Sequence, residues 1–304
     1  MRALAWCLPW ADAPEQSIRL RIACASAILL NRGMDRYAVM GHPVSHSLSP
    51  AIHAAFARAT REPIEYTALL VPLGQFAQSA RRFFDEGGRG ANVTLPFKLD
   101  AFELAAIKTE RAVVAGAANF LAARDGAIEA DNTDGAGLVT DLTRNQGVRL
   151  EGAHILVLGA GGAARGIIAP LLARKPARLV IANRTAARAH ELAARFRDRG
   201  AAEGVALDAI ARDRYDLVLN ATSTSTHGEV LPLPAHALPP GAFAYDLAYG
   251  AGARVFVERA RAAGMKAADG LGMLVEQAAE SFELWRGVRP QTAPVLAELR
   301  ARMA

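Results

Sequence analysis

Cysteine is nearly absent from this 304-residue chain: it has two, Cys7 and Cys24, both within the first 33 residues. The body of the chain therefore has no disulfide framework, no thiolate nucleophile and no cysteine-based zinc site. That usage fits a reducing, cytoplasmic setting. Apolar runs of membrane length are also missing. Residues 1–33 contain apolar patches, but Asp12, Glu15, Arg19 and Arg21 interrupt them, well short of the roughly 20 apolar residues of a membrane helix. The best run there, IACASAILL, sits late and lacks a clean cleavage site, which argues against a secretory signal. Residues 1–33 are expected to be an extension, disordered or arising from a non-native start, with Met34 opening the folded part. Charge of one sign is scarce: the net charge is +5, and basic residues are scattered singly along Ala-rich helical stretches. That is a solvated surface rather than a nucleic-acid footprint, so neither nucleic acid nor membrane is expected as a partner. Metal is not expected either, because His42 and His46 flank Pro43 and cannot share a helix face as zinc ligands would.

What remains is a globular composition, 52% hydrophobic and 21% charged, long enough to bury a sizeable core in one large or two ordinary domains. RYAVMG (36–41), IEYTALLV (64–71) and GANVT (90–94) read as strands separated by helices, one starting with Ser49 as N-cap and Pro50 at N1. A helix over QFAQSARRFFDEGG follows the second strand, and Pro96 is expected to start another. HILVLG (154–159), LVIANRT (179–185), DLVLNATS (216–223) and AFAYDLAY (242–249) read as buried strands, with a helix after the second running through residue 198. Alternating strand and helix predicts βαβ units and parallel sheets. The expected fold is α/β in two domains. An N-terminal substrate-binding domain with a mainly parallel sheet would cover 34–134 plus 272–304, the amphipathic stretch GMLVEQAAESFELWRG returning to it. A Rossmann-like, doubly wound domain would cover 135–271.

GAGGAAR (159–165) follows a buried strand and opens a helix. Gly159, Ala160, Gly161, Gly162 and Ala163 would form a tight turn that lets a pyrophosphate approach the backbone and the helix N-terminus. At the end of the next strand, where an NAD site carries Asp or Glu, the chain has Asn183, Arg184 and Thr185. An arginine with two small polar groups suits a 2′-phosphate, so NADP is expected over NAD.

Asn92, Thr94 and Lys98 crowd the end of the strand GANVT, where residues two apart share a face. Convergent polar groups at the end of a parallel strand make a crevice for a small polar ligand. Ser47 and Ser49, in SHSLSP, stand at a helix N-terminus and could hold a carboxylate. Asp131, Asn132 and Asp134 form a turn from which a carboxylate could pair with Lys98 and orient its amine.

At these residues the chain resembles the shikimate 5-dehydrogenases. The likeness runs in order through SHSLSP, GANVTLPFK, AGAANF, DNTDG, GAGGAAR, NRT, NATS and ADGLGMLVEQAA, from about residue 36 to 290. It implies reversible NADP-dependent oxidation of shikimate to 3-dehydroshikimate on the route to chorismate and the aromatic amino acids. By position it implies Ser47 and Ser49 on the substrate carboxylate, and Asn92, Asn119, Asp134 and Gln277 on ring hydroxyls with Thr94 beside them. Lys98 would be the general acid/base, completed by Asp134. Tyr249 and Gly270 would lie near substrate and nicotinamide. Leu247 and Thr222, the latter in NATS, would lie at the cofactor, with Glu110 either near it or a solvated helix residue. A homodimer is admitted but not required. The rival readings are an NAD-using quinate/shikimate dehydrogenase, against which Ser49 and Thr185-Ala186-Ala187 argue, and a non-catalytic NADP-binding regulator, against which Lys98 and Asp134 argue.

Overall fold

Strand β7, His154–Leu158, shows how the second sheet is built. Successive side chains of a strand point to opposite faces, and here both faces are apolar. Ile155 and Val157 join one core with Leu179, Ile181, Leu217 and Leu219, while Leu156 and Leu158 join another with Val180, Ala182 and Val218. Each fully buried aliphatic side chain contributes roughly 1.5–3 kcal/mol, so a continuous apolar run is stable only as a central strand covered on both sides. The computed structural model describes residues 33–222, 224 and 230–303. The expectations for residues 1–32, Cys7 and Cys24 included, and for Ser223 fall outside the described residues.

The second sheet has the order β12-β11-β10-β7-β8-β9, and all five of its pairings are parallel. Its other strands are β8 (Arg178–Asn183), β9 (Ala202–Ala206), β10 (Leu217–Asn220), β11 (Phe243–Asp246) and β12 (Lys266–Ala268). Read from β9, this is the doubly wound order, with its switch point between β7 and β10. Helices α6 (Gly162–Leu172) and α7 (Ala186–Arg195) cover one face, and α8 (Ala251–Ala262) the other. α7 ends at Arg195, and a separate 3-10 turn covers Arg197–Arg199, where one helix through 198 was expected.

The first sheet has the order β2-β1-β3-β5-β6-β4. It comprises β1 (Asp35–Gly41), β2 (Ile64–Leu70), β3 (Gly88–Val93), β4 (Ile107–Lys108), β5 (Phe120–Arg124) and β6 (Ala127–Asp131). β1 with β3 and β4 with β6 run parallel. β5 runs antiparallel to both β3 and β6, and this hairpin is an insertion the sequence pattern does not announce. Ala38, Met40, Ala91 and Val93 face a core with α2 (Phe76–Asp85) and α3 (Lys98–Leu104). The opposite face is covered by α1 (Ser49–Thr60), α9 (Leu271–Arg286) and α10 (Ala293–Met303), through Ile52, Phe56, Val275, Phe282 and Leu299. Asn92 alternates with Ala91 and Val93 and so lies on this α1/α9 side. A Cβ on Gly90, two residues earlier, would stand 2.2 Å from Trp285 Nε1, so only glycine lets that ring close over the strand.

Two helix starts differ from expectation. The first helical residue of α1 is Ser49, with Leu48 at the cap position and no side-chain cap bond of its own. Ser47 Oγ instead accepts from the Ser49 N–H at 3.3 Å, doing from two residues upstream what a cap residue would do. α3 begins at Lys98 rather than Pro96, which lies in the preceding turn.

Between the sheets, α5 (Asp134–Thr140) runs into a π-helical turn, Asp141–Asn145, and packs closely on α9. A Cβ on Gly137 would meet the Gln277 backbone nitrogen at 2.7 Å, so the helices touch backbone to backbone. The buried Asp141 carboxylate accepts from Tyr245 Oη at 2.6 Å and from Asn145 Nδ2 at 2.9 Å.

Candidate active site

Strand pairing brings the polar stretches together. Val39 is in register with Asn92 and Met40 with Val93, so β1 and β3 end side by side. Their exits are stitched by Thr94 N–H to the Met40 carbonyl and His42 N–H to the Leu95 carbonyl. This sets the serine loop after β1 beside the turn that carries Lys98. β3 stops at Val93, so Thr94 does not share a strand face with Asn92 as expected; its methyl lies over Gly41, where a Cβ would be 2.4 Å away. The Asn119 main chain joins the ends of β3 and β6, bonding to Val93 N–H and to the Asp131 carbonyl.

In the turn after β6, Asn132 Oδ1 accepts from the Asp134 N–H at 3.2 Å and its amide donates to the Ala117 carbonyl. Asp134 is thereby aimed at Lys98: Nζ donates to Oδ2 at 2.6 Å, with both side chains largely buried. The other oxygen, Oδ1, accepts from Asn119 Nδ2 at 2.9 Å. Asp131 is held instead by Arg111 on α4 (Glu110–Ala115) and by Thr109, so Asp134 is the lysine's partner. Asn119 Nδ2 also lies 3.2 Å from Gln277 Oε1, and its Oδ1 accepts from the Thr133 N–H at 2.7 Å. Asn92, Lys98, Asn119, Asp134 and Gln277 thus form one buried or half-buried polar cluster. Burial raises the cost of an unpaired polar group, so such a cluster is stable only when its members satisfy one another. Three members escaped the sequence reading: Tyr66, Thr133 and Ser281. Ser281 could have been found, since it is four residues beyond Gln277 on the same helix face.

Tyr249, after β11, packs against the same core cluster as Leu48, and burial pushes its phenol above the ordinary range. It thereby stands beside the serine loop. Gly270 approaches the Leu247 carbonyl so closely that a Cβ would lie 2.3 Å from it, and its N–H donates to the Ala248 carbonyl.

The nucleotide turn is built from backbone. Gly159 has φ +107°, and a Cβ there would meet the Ala221 carbonyl oxygen at 2.9 Å. Thr222 packs over the same glycine, and its hydroxyl donates to Asn220 Oδ1. Gly161 opens α6 without a side-chain cap, and a Cβ on it would meet open space. The first N–H groups of α6 are therefore available to an anion. Gly162 lies where a Cβ would be 3.8 Å from Lys98 Cβ, which places the turn next to the lysine. At the end of β8, Asn183 Nδ2 donates to the Thr185 carbonyl, and Arg184 is exposed with no ion-pair partner among the described residues. Glu110 stands apart: it is exposed on α4 and paired with Arg199 at 3.2 Å, as a solvated helix residue would be. Among the described residues no group of three or more His, Cys, Asp or Glu could hold a metal ion, and no helix is long and apolar enough to cross a membrane.

A doubly wound sheet with an uncapped glycine turn, set against a polar cleft holding a Lys–Asp pair, defines a dinucleotide-dependent oxidoreductase. The particular family follows from likeness. Family models match at residues 39–121 (shikimate dehydrogenase substrate binding domain), 141–228 (shikimate / quinate 5-dehydrogenase) and 270–300 (shikimate 5'-dehydrogenase C-terminal domain). The shikimate dehydrogenase (NADP(+)) of Cupriavidus necator is 53% identical over 278 residues, covering 88% of this chain and 94% of that protein. The crystal structure of an Ael1 enzyme from Pseudomonas putida superposes with a TM-score of 0.82 at 47% identity, covering 87% of this chain and 98% of the other. That of shikimate 5-dehydrogenase from Thermus thermophilus, in complex with NADP(H) and shikimate, gives 0.76 at 33% identity, covering 88% and 99%. This chain belongs to the shikimate dehydrogenase family.

Proposed function

We propose that the chain catalyses the reversible, NADP-dependent oxidation of shikimate to 3-dehydroshikimate, on the route to chorismate and the aromatic amino acids. The observation that carries this reading is the 2.6 Å Lys98–Asp134 pair seated beside the glycine turn of the nucleotide sheet. Bound at this turn, NADP⁺ would supply the hydride acceptor for the reacting carbon. The chain's residues do the rest. In the oxidation direction the Lys98 amine takes the hydroxyl proton; in reduction its ammonium returns one to the carbonyl oxygen. Asp134 holds Nζ in place and is itself fixed by Asn119. Ser47 and Ser49 receive the carboxylate at the start of α1, and Tyr249 stands beside them. Asn92, Asn119 and Gln277 serve ring hydroxyls, with Thr94 at the rim.

The residues present fit the dinucleotide: a cradle at Gly159–Ala163 that side chains would fill, and uncapped helix N–H groups for the pyrophosphate. Arg184, flanked by Asn183 and Thr185, suits a 2′-phosphate, and no carboxylate follows it in Thr185-Ala186-Ala187. Thr222, Leu247 and Gly270 flank the remainder. The division into 34–134 with 272–304 and 135–271 belongs to the same reading, as does a cytoplasmic setting, supported by the lack of cysteine after Cys24.

The test is the initial rate of purified protein with shikimate and with quinate, each with NADP⁺ and NAD⁺. Turnover concentrated on shikimate with NADP⁺ is expected. Comparable rates with quinate and NAD⁺ would overturn the assignment while leaving the fold intact.

A further inference from the structure

The hydrogen bonding of Asn92 is determined at both polar atoms of its side chain. One side-chain atom lies 3.2 Å from the Asn119 main-chain carbonyl oxygen, which can only accept, so that atom must be Nδ2. The same nitrogen donates to Ser281 Oγ at 2.9 Å, and the Ser281 hydroxyl in turn donates to the Gln277 carbonyl at 3.0 Å. Both amide hydrogens are therefore engaged inside the protein. Oδ1 accepts from the Tyr66 hydroxyl at 2.8 Å, which leaves it one lone pair for a ligand and the amide no hydrogen. Tyr66 comes from β2, and its ring lies flat on His53, with centroids 4.0 Å apart and planes 7° apart. His53 is fully buried on α1, one turn beyond Ser49, so the stack ties the tyrosine to the helix that opens at the serine loop.

We propose that Tyr66, stacked on His53 and opposed by Ser281, is a positioning residue of the substrate site. It holds the Asn92 amide with its hydrogens turned inward, so that Asn92 meets substrate as an acceptor and selects a ring hydroxyl able to donate. This rests on the shikimate reading above. The ligand class is a polyol whose hydroxyl at that ring position is free, and a deoxy or O-alkyl analogue is rejected because it brings no hydrogen to the oxygen.

The experiment measures kcat and KM for shikimate and NADP⁺ in wild type, Tyr66→Phe, Asn92→Ala and the double variant, with thermal midpoints recorded. Tyr66→Phe keeps the stacked ring and removes the hydroxyl. It is expected to raise the shikimate KM about tenfold, roughly the loss of one hydrogen bond's worth of binding, with the NADP⁺ KM and the thermal midpoint unchanged. In the Asn92→Ala background it should add nothing, because the two changes remove one interaction. Ser281→Ala approaches the amide from the other side and should show the same pattern. A wild-type shikimate KM in Tyr66→Phe, or effects that multiply in the double variant, would overturn the inference. Absence of shikimate turnover in the wild type would instead overturn the functional reading on which it rests.

Discussion

At the ends of β3 and β6, Asn92, Asn119, Asp134, Thr133, Gln277 and Ser281 hold one another by side-chain hydrogen bonds, nearly all buried. At the end of β7, the turn Gly159–Gly162 has no side chains to do this; its shape comes from a positive φ and from the close approach of the Ala221 carbonyl. One site is pre-formed by polar side chains that fix each other's orientation. The other is pre-formed by backbone, with a single exposed arginine added. The difference fits the ligands proposed for the two regions. A small polyol must be told apart from its isomers, which takes several directed groups at fixed positions. A pyrophosphate carries its own charge and needs only N–H groups at close range.

Substitutions in the two regions should therefore separate cleanly. Lys98→Ala is expected to lower turnover by about 10²–10⁴, the usual range for a lost acid/base group. NADP⁺ affinity, read by fluorescence titration of the reduced cofactor, should stay within about twofold; near-normal turnover would remove Lys98 from its role. Arg184→Ala should do the reverse. Loss of a charge-assisted bond worth about 1.5–3 kcal/mol would raise the NADP⁺ KM by about 10–100-fold, leaving the shikimate KM and the NAD⁺ rate nearly unchanged. An unaltered NADP⁺/NAD⁺ ratio would sink the 2′-phosphate assignment. Gly159→Ala tests the backbone directly: its Cβ meets a carbonyl at 2.9 Å in a conformation that side chains disfavour. A loss of about 1–3 kcal/mol in urea-unfolding stability is expected, together with weaker cofactor binding.

The last prediction concerns pH. Burial lowers the His53 pKa from 6.5 to about 3, and neither ring nitrogen has a hydrogen-bond partner among the described residues. Between those values the unfolded chain binds a proton that the folded protein refuses. Stability should thus fall as pH drops from about 6.5 toward 3, by up to about 1.4 kcal/mol per pH unit from this group. His53→Phe keeps a ring against Tyr66 and should flatten that part of the profile. Urea midpoints at pH 4, 5, 6 and 7 in both proteins would show it, and parallel profiles would remove His53 as the source.

Much of this was legible in the sequence. HILVLG had to be a central strand because a run apolar on both faces tolerates no solvent, and the glycines behind it had to be a turn. Lys98 and the DNTDG stretch were visible as candidates because polar groups in an apolar setting need a reason. The antiparallel hairpin β5–β6 was not visible. Its strands are short, and their alternation is blurred by a sheet that buries Phe120, Leu121 and Ala122 alike. Nor was Tyr66, which lies in a strand whose residues give no sign of what faces them across the sheet.

The chain's local chemistry determined which residues could do this work: a lysine and an aspartate for protons, serines at a helix start, glycines after an apolar strand, an arginine in place of an acid. Those choices follow from side-chain type and near-neighbour geometry, both of which are written in order along the sequence. Side-chain type alone left Asp131 and Asp134 both open as the partner of Lys98; the family resemblance pointed to Asp134, and the tertiary structure gives the reason, because Arg111 and Thr109 claim the other carboxylate. It alone turned the Asn92 amide inward, through Ser281 from a helix 189 residues away in sequence. Orientation of a buried polar group depends on every partner that reaches it, and those partners meet only when the strands and helices pack.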